Sequence, residues 1–301
     1  MSYSLAPIAL FVYNRLSNLK NTVNSLKENE CSTSSELYIF SDSWKSQLDK
    51  YNVLAVRKYI KSIKGFKKIH IFYRKKNFGL SKNIITGVSF ILKKYNSIIV
   101  IEDDLKLGKF FLRFINDGLK IYKNVNNVAS IHGYFYPVPN NSKLKNTFFI
   151  KGADCWGWGT WRRAWNKFNI NGQELLNIIK SRKLKYEFNF NNSYNYYKML
   201  EDQIYKKNDS WAIRWYASAF TNEMYTLYPK QSLVQNIGVD KGINSKYDLL
   251  DLKQQLLNNN KICIKKQIVK ESLLARKAIE LFFKKKRFFR FKENIKKIFY
   301  V

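Results

Sequence analysis

Short apolar runs alternate with segments of helical apolar spacing over the first 104 residues of the chain. We predict four strands, within "APIALFVYNR", "ELYIFSDS", "KKIHIFYRKKNFGL" and "SIIVIEDDL", with helices between them. Because these runs are apolar on both faces, they predict a mostly parallel sheet covered by helices on both sides. The predicted fold class is therefore α/β with a Rossmann-like sheet and flanking helices.

Polar residues follow the end of each predicted strand. Ligands bind at the carboxyl ends of the strands in parallel sheets, so these residues are expected to share one edge. They are Tyr13, Asn14 and Arg15 after the first strand, Asp42 after the second, Arg74 after the third, and Glu102, Asp103 and Asp104 after the fourth. We predict a ligand site at that edge.

Three adjacent carboxylates end the fourth strand, in a chain whose formal net charge is +32. Like charges repel one another, so the cluster predicts a cation that offsets them, and a solvated acidic turn is the alternative. Because side chains alternate along a strand, Glu102 and Asp104 are predicted to share a direction while Asp103 points away.

Composition narrows the class of protein. With 301 residues and 46% apolar side chains, the chain can bury a sizeable core. No apolar run reaches the roughly 18 residues of a membrane span, and the N-terminal apolar run lacks a preceding basic stretch, so we expect a cytoplasmic protein. Three widely spaced Cys and two His argue against a disulfide framework or a Cys/His zinc site.

Two segments are rich in tryptophan, "GADCWGWGTWRRAW" and "NDSWAIRWYASAF". Flat rings between glycines, with Arg and Asp interleaved, predict the wall of a sugar site, and core packing is the alternative. The residues proposed to contact a sugar or acceptor are Trp156, Trp158 and Trp211, with His132 of "SIHGYF", for which a structural role is the alternative.

The ordered motifs "PIALFVYNR", "IFSD", "RKKNFGLSKNI", "VIEDDL", "ADCWGWGTWRRAW", "DSWAIRWYAS" and "VQNIGVD" cover about residues 6–245. In this order they resemble bacterial glycosyltransferases of the GT-A type, the family-2-like sugar transferases that assemble surface polysaccharides. A more distant resemblance extends to eukaryotic N-acetylglucosaminyltransferases. The resemblance implies a GT-A-type fold and sugar transfer from a nucleotide-sugar donor, UDP-linked in our prediction, to a glycan in polysaccharide, capsule or lipooligosaccharide synthesis.

The resemblance also implies roles for individual residues. Tyr13, Asn14 and Arg15 would line the nucleotide pocket, and Asp42 would face the base or ribose. Near the nucleotide and the donor sugar it places Arg74, Asn77, Gly79, Glu102 and Asp103. Asp104 would bind a divalent metal, Mn²⁺ or Mg²⁺, a hard cation that takes oxygen ligands from carboxylates and substrate phosphates.

An inverting transfer needs a carboxylate that removes the proton of the attacking hydroxyl. The family offers several acids here, namely Asp154, Glu201, Asp202, Asp209 and Asp240. Some relatives have an acid after the first Trp of the later segment, where this chain has Ala212. We favour Asp209 as the base, then Asp202 and Asp240, and the alternative for Asp209 is a cap of the helix that starts near Trp211.

The C-terminal region is strongly basic, with 14 Lys or Arg against three Glu in residues 261–301. Apolar residues at helical spacing among these lysines predict an amphipathic helix on an anionic bilayer, and packing on the catalytic domain is the alternative. We predict a glycosyltransferase domain over residues 1–255 and a basic helical tail over 256–301. The protein would then be peripheral on the inner face of the cell membrane, with a glycan or lipid-linked glycan acceptor.

Two other functions stay open. The charge and aromatic content suit a protein that binds nucleic acid or another polyanion, but no RRM, KH or helix-turn-helix signature is present, so we expect no nucleic-acid partner. A catalytically inactive scaffold with a glycosyltransferase fold is the second alternative, because Ala212 stands where relatives have an acid.

Overall fold

The structure is a computed structural model that describes residues 5–138, 141–238 and 257–299, with side chains described up to residue 288. Two sequence predictions fall outside these ranges: the candidate base Asp240, and the domain boundary between residues 255 and 256. None of the helices in the described ranges combines the length and apolar character needed to cross a membrane.

The first half of the chain alternates strands and helices, as predicted. In order these are β1 (Ile8–Val12), α1 (Leu16–Lys27), β2 (Glu36–Ser41), α2 (Gln47–Ile60), β3 (Lys68–Tyr73), α3 (Gly79–Lys94) and β4 (Ser97–Glu102). The four strands pair in parallel in the order β3-β2-β1-β4. β1 is buried along its whole length, because helices cover both faces of the sheet.

The second half extends this sheet with mixed pairing. Its elements are β5 (Leu105–Leu107), α4 (Phe111–Ile121), β6 (Val128–His132), β7 (Thr147–Lys151), β8 (Trp158–Trp161), α5 (Arg162–Trp165), α6 (Gly172–Ser181), α7 (Lys185–Phe188), α8 (Tyr196–Ile204), α9 (Trp211–Thr221), β9 (Tyr225–Pro229) and β10 (Val234–Asn236). In the described residues the main sheet has the order β3-β2-β1-β4-β8-β6-β9-β7, and β10 pairs with β5 separately. The α/β prediction is confirmed, with a large central sheet and flanking helices.

The tryptophan and glycine segment contains a central strand of the main sheet. β8 runs antiparallel between β4 and β6. The Trp158 side chain is fully buried there and stacks on Trp211, with ring centroids 5.6 Å apart. Gly159 lies against Ile115 of α4, where a Cβ atom would collide with the isoleucine side chain. The segment therefore forms part of the core.

The described C-terminal segment, residues 257–299, runs along the domain before its helix begins. Asn258 donates its backbone N–H to the Ser232 carbonyl (2.9 Å), and Glu271 forms a bridge with Phe149 of β7. The helix α10 (Leu273–Phe299) then follows. Its inward residues Ala275, Ile279, Phe282 and Phe283 are buried in a cluster shared with β7 and α9. Packing on the domain, the alternative to membrane contact, therefore occupies this face of the helix.

Hydrogen bonds of two buried charged residues fix α10 to the domain. The Arg276 guanidinium lies 3.0 Å from the Glu271 carboxylate and 3.3 Å from that of Glu280. It also donates to the Glu187 carbonyl at 2.7 Å. On the same helix Glu280 accepts a hydrogen bond from Asn191 (2.9 Å). Since Arg276 and Glu280 are both buried, each charge depends on its partner for stability.

Replacing Arg276 by Met should therefore destabilise the whole domain. The variant leaves Glu280 buried without its cation, and we expect the free energy of unfolding to fall by about 3 kcal/mol, measured by urea denaturation. The matched control is Lys277→Met on the exposed side of the same helix, which should change stability by less than about 0.5 kcal/mol. Equal effects of the two variants would contradict a buried anchoring role for Arg276.

Candidate functional site

Parallel pairing of β1 to β4 brings the predicted polar residues to one edge of the sheet. Residues 13–15 follow β1, Asp42 follows β2, Arg74 follows β3, and residues 102–104 end β4. Hydrogen bonds link these strand ends: the Tyr13 backbone N–H donates to Asp103 Oδ2 at 3.0 Å, and the Asp42 N–H donates to the Val12 carbonyl at 3.0 Å. The four positions thus form one continuous surface.

The acidic cluster sits in a tight turn between β4 and β5. Arg15 Nη1 donates to Asp104 Oδ2 at 2.9 Å, while Asp103 receives the Tyr13 N–H. Strand alternation does not determine these directions, because β4 ends at Glu102 and the chain turns at the next two residues. Asp103 and Asp104 both contact the loop that follows β1, whereas the prediction gave a shared direction to Glu102 and Asp104 and the opposite one to Asp103.

Burial disfavours the charged form of all three carboxyl groups. Burial, then the neighbouring Asp104 charge, raises the pKa of Asp103 to about 7. The pKa of Glu102 is raised well above its ordinary value by burial and by the charges of Asp104 and Asp103. Burial also raises the pKa of Asp104, although Arg15 acts in the opposite direction. A further cation at this cluster would be attracted to it.

Asp42 organises the loop between β3 and α3. It is 4% exposed, and its two carboxylate oxygens accept the backbone N–H groups of Ser43 (2.8 Å), Phe78 (2.8 Å) and Gly79 (2.9 Å). Asn77 adds a longer side-chain bond at 3.4 Å. Gly79 has φ +72°, a conformation that favours glycine. These contacts occupy the carboxylate, so in this structure Asp42 shapes the edge and does not present a free group to a base or ribose.

Arg74 is likewise engaged by the fold. Its Nε donates to Asn83 Oδ1 at 2.9 Å and its Nη2 to Thr86 Oγ1 at 3.0 Å, both on α3. The guanidinium also lies over the Phe78 ring, 4.7 Å from the centroid. The predicted nucleotide contact of Arg74 therefore competes with two hydrogen bonds to α3 and with the contact over the Phe78 ring.

The loop after β1 connects the edge to α2. Asn14 Nδ2 donates to Asp49 Oδ1 at 3.0 Å, and the Tyr13 hydroxyl accepts the Lys45 backbone N–H at 3.2 Å. Tyr13, Asn14 and Arg15 are all partly exposed. They can therefore contact a ligand at the edge, as the sequence predicts.

The segment after β10 covers the acidic cluster. Ile237 donates its backbone N–H to the Asp104 carbonyl at 2.8 Å, and Asn18 donates to the Ile237 carbonyl at 3.1 Å. A Cβ atom at Gly238 would collide with the Asp104 carboxylate. The "QNIG" motif therefore needs glycine for close approach of the backbone to the cluster.

The loop over residues 152–157 reaches the same edge from the other side. In the antiparallel pair of β4 and β8, Val100 lies opposite Trp158, so the loop that precedes β8 lies beside the end of β4. Asp154 in this loop is partly exposed and accepts a hydrogen bond from the Tyr136 hydroxyl (2.9 Å) at Oδ2. The Tyr136 ring packs on Phe282 and Phe283 of α10, with centroids 5.8 Å and 5.2 Å apart.

The Glu102 charge of the acidic cluster acts on the Cys155 thiol of this loop. Burial, followed by the charges of Asp154 and Glu102, raises the pKa of the Cys155 thiol well above its ordinary value. Asp154 belongs to the loop beside the end of β4, and the sequence prediction considered this acid without favouring it. The sequence gives no signal for this position, because the pairing of β8 with β4 is visible only in the assembled sheet.

The favoured base candidates lie in different surroundings. Asp209 is 71% exposed and lies 3.4 Å from Arg214 Nη2, which in turn donates to Ser81 Oγ at 2.6 Å in the first turn of α3. Ser210, and not Asp209, caps α9 by accepting the Ile213 N–H. Asp202 pairs with Lys198 on α8 at 2.6 Å and lines a cavity of about 600 Å³ between α8 and α10.

The predicted sugar-binding wall is mostly core. His132 is fully buried, and its Nε2 accepts the Trp156 N–H (3.0 Å), so its Nδ1 carries the proton and donates to the Tyr134 carbonyl (2.9 Å). Burial lowers the pKa of His132, consistent with a neutral ring. Because both nitrogens are used and Trp158 and Trp211 are buried, none of these three can contact a sugar in this conformation. Trp156 is partly exposed.

Comparison with known proteins adds little to this geometry. No family model matches the chain, and no curated protein matches it. Among solved structures, S. aureus TarS gives a TM-score of 0.38 at 14% identity, covering 55% of this chain and 30% of that chain. Mannosyltransferase PcManGT from Pyrobaculum calidifontis, in complex with GDP-Man and Mn²⁺, gives a TM-score of 0.33 at 11% identity, and the match covers 46% of this chain and 40% of that chain. The structure of S. aureus TarS 1-349 gives a TM-score of 0.34 at 12% identity, and the match covers 60% of this chain and 49% of that chain.

This chain therefore spans less than half the length of each of these solved structures. At such TM-scores the similarities support no argument about the function of this chain.

Replacing Asp42 by Asn should weaken the edge of the sheet. One acceptor oxygen becomes an NH₂ group facing backbone donors, so we expect the free energy of unfolding to fall by about 1–3 kcal/mol in urea denaturation. The control Asp117→Asn removes only a surface pair with Arg113 and should change stability by less than about 1 kcal/mol. An Asp42→Asn variant as stable as the control would show that these bonds do not organise the loop.

Proposed function

We propose that the protein is a glycosyltransferase that moves a sugar from a nucleotide-sugar donor to a glycan acceptor. The observation that carries this proposal is the group of carboxylates at the carboxyl edge of the parallel strands, with Arg15 paired to Asp104. The ordered motifs that resemble GT-A-type sugar transferases supply the reaction class. The donor is proposed to be UDP-linked, and the sugar a hexose or an N-acetylhexosamine.

The donor would lie along the edge formed by the ends of β1 to β4. Tyr13, Asn14 and Arg15 are partly exposed there and would contact the nucleotide. We place Asn77, Gly79, Glu102 and Asp103 near the ribose and donor sugar, as the family resemblance implies. Asp42 would act indirectly, by holding the backbone of the loop that starts α3.

A divalent cation, Mn²⁺ or Mg²⁺, suits the chemistry of the cluster. Glu102 and Asp104 offer hard oxygen ligands, and among the residues that the structure describes the Glu102 carboxylate has no hydrogen-bond or ion-pair partner. Within those residues, however, no group of three or more His, Cys, Asp or Glu side chains is arranged to hold a metal. Asp104 would therefore share the metal with donor phosphates, and the bound metal would offset charge on the departing nucleotide.

Asp154 becomes our first candidate for the general base. Its loop precedes β8 and lies beside the end of β4, and the Tyr136 hydroxyl donates a hydrogen bond to its carboxylate. The acceptor hydroxyl would lose its proton to Asp154 while its oxygen bonds to the anomeric carbon and the bond from that carbon to the nucleotide diphosphate breaks. Attack opposite the leaving group would invert the configuration. Asp209, Asp202 and Asp240 stay predictions. Of these, Asp209 is linked to α3 through Arg214, which bonds to Ser81.

The pathway is also part of the proposal. Synthesis of a polysaccharide, capsule or lipooligosaccharide would suit a sugar transferase of this kind, with attachment to the cytoplasmic face of the membrane. Binding of nucleic acid or another polyanion, and an inactive scaffold, are the competing functions.

Nucleotide binding tests the proposed donor site. In a thermal-shift panel of UDP, GDP, CMP and their sugar conjugates, we expect one nucleotide family to raise the melting temperature in a Mn²⁺-dependent way. Asp104→Asn should abolish this shift, whereas the surface control Asp117→Asn should retain it. Absence of any nucleotide effect, combined with tight RNA binding that survives Asp104→Asn and weakens steeply with salt, would favour the polyanion alternative.

Donor turnover tests the assignment of Asp154. With the donor selected by the panel, Asp154→Asn should reduce release of the nucleoside diphosphate about 10²- to 10⁴-fold, the range for loss of a general base. Its thermal shift with the donor should stay unchanged, because Asp154 is not proposed to bind the nucleotide. Asp209→Asn is the matched comparison, and a larger loss in that variant would return the role to Asp209.

A further inference from the structure

One face of α10 is left exposed by the packing of the other. Leu274 is 64% exposed, Leu281 51% and Phe288 54%, although all three are large apolar residues. They are spaced seven residues apart, close to two helical turns, so they lie in one row along the helix. This row is opposite the side that carries Ala275 and Ile279, which are buried against the domain.

Lysines border this apolar row. Lys277 and Lys284 lie on one side of it and Lys285 on the other, as the 100° rotation per residue requires, and all three side chains are exposed. Glu280 does not reduce this positive charge on the outer face, because it is buried and paired with Arg276. Apolar side chains and cations are thus presented to the same direction.

We infer that this outer face of α10 binds the surface of an anionic lipid bilayer. Leucine and phenylalanine would enter the boundary between headgroups and acyl chains, while the lysines would contact anionic headgroups. Charge complementarity and the apolar row together favour a bilayer over nucleic acid, because phosphate recognition alone does not use exposed leucines.

The inner side of the helix cannot take this role. Phe282 and Phe283 belong to the buried cluster and are not available to lipid. Since the inner face packs on the domain and Arg276 bonds to the Glu187 carbonyl, the helix would lie in the plane of the bilayer surface with the domain above it. This face would supply the membrane attachment that the proposed function includes, and vesicle binding is measured separately from sugar transfer.

The test uses the full chain and co-sedimentation with vesicles. One set contains phosphatidylcholine alone. The other contains phosphatidylcholine with about 30% phosphatidylglycerol, which gives the vesicle surface a negative charge. The variant Leu274→Ser/Leu281→Ser/Phe288→Ser should bind the anionic vesicles at least about tenfold more weakly than the unchanged protein. Neither protein should bind neutral vesicles strongly.

The control is Leu48→Ser/Tyr51→Ser on α2, where the two side chains are 91% and 81% exposed. It removes exposed apolar groups far from the lysines of α10 and should bind anionic vesicles as the unchanged protein does. Melting curves of both variants should match that of the unchanged protein, because the altered side chains are exposed.

A second variant keeps the test valid if the serine variant misfolds. Lys277→Gln/Lys284→Gln/Lys285→Gln leaves the apolar row intact and should also weaken binding, with a shallower salt dependence. Equal binding of the unchanged protein and the α10 variants would overturn the inference, as would equal loss in the α2 control. Loss of RNA binding in the glutamine variant without loss of vesicle binding would overturn it in favour of a polyanion surface.

Discussion

The parallel alignment of β1 to β4 is the constraint on which the candidate site depends. It brings the ends of four separate strands to one edge, so backbone donors and acidic side chains far apart in sequence come within hydrogen-bonding distance. Asp42 joins β2 to the start of α3, and Asp103 joins β4 to the end of β1. Arg15, held beside Asp104 by the same alignment, offsets part of the repulsion among these carboxylates, and burial shifts all three towards the neutral form.

The first half of this fold could be predicted from sequence, because buried parallel strands are continuous apolar runs and their helices have a clear period. The start of α2 is harder to predict from sequence. Its first turns carry Leu48 and Tyr51, which are apolar but exposed, so they do not follow the apolar spacing of the buried helix face. The strand β8 was not predicted from sequence. It has four residues and forms by pairing with β4 and β6, and the local sequence does not reveal these neighbours. Tryptophan in such a strand looks the same in sequence as tryptophan at a binding surface.

The site was predictable in position but less so in the state of each side chain. The strand-end rule identified the edge, yet it could not show that backbone donors 36 and 37 residues away occupy Asp42. The same holds for His132. Its ring nitrogens bond to the Tyr134 carbonyl and to the Trp156 backbone N–H, and the sequence does not show that these groups lie beside it. Asp154 needed the β4 and β8 register, which only the assembled sheet provides.

Tyr136 has a consequence for communication across the molecule. Its hydroxyl bonds to Asp154 at the edge, while its ring packs against Phe282 and Phe283 of α10. A displacement of α10 would have to move this ring or leave it without its aromatic neighbours, and either change alters the hydrogen bond at the carboxylate. An event at the outer face of the helix and occupancy of the edge would then be thermodynamically coupled, each changing the affinity of the other by the same factor.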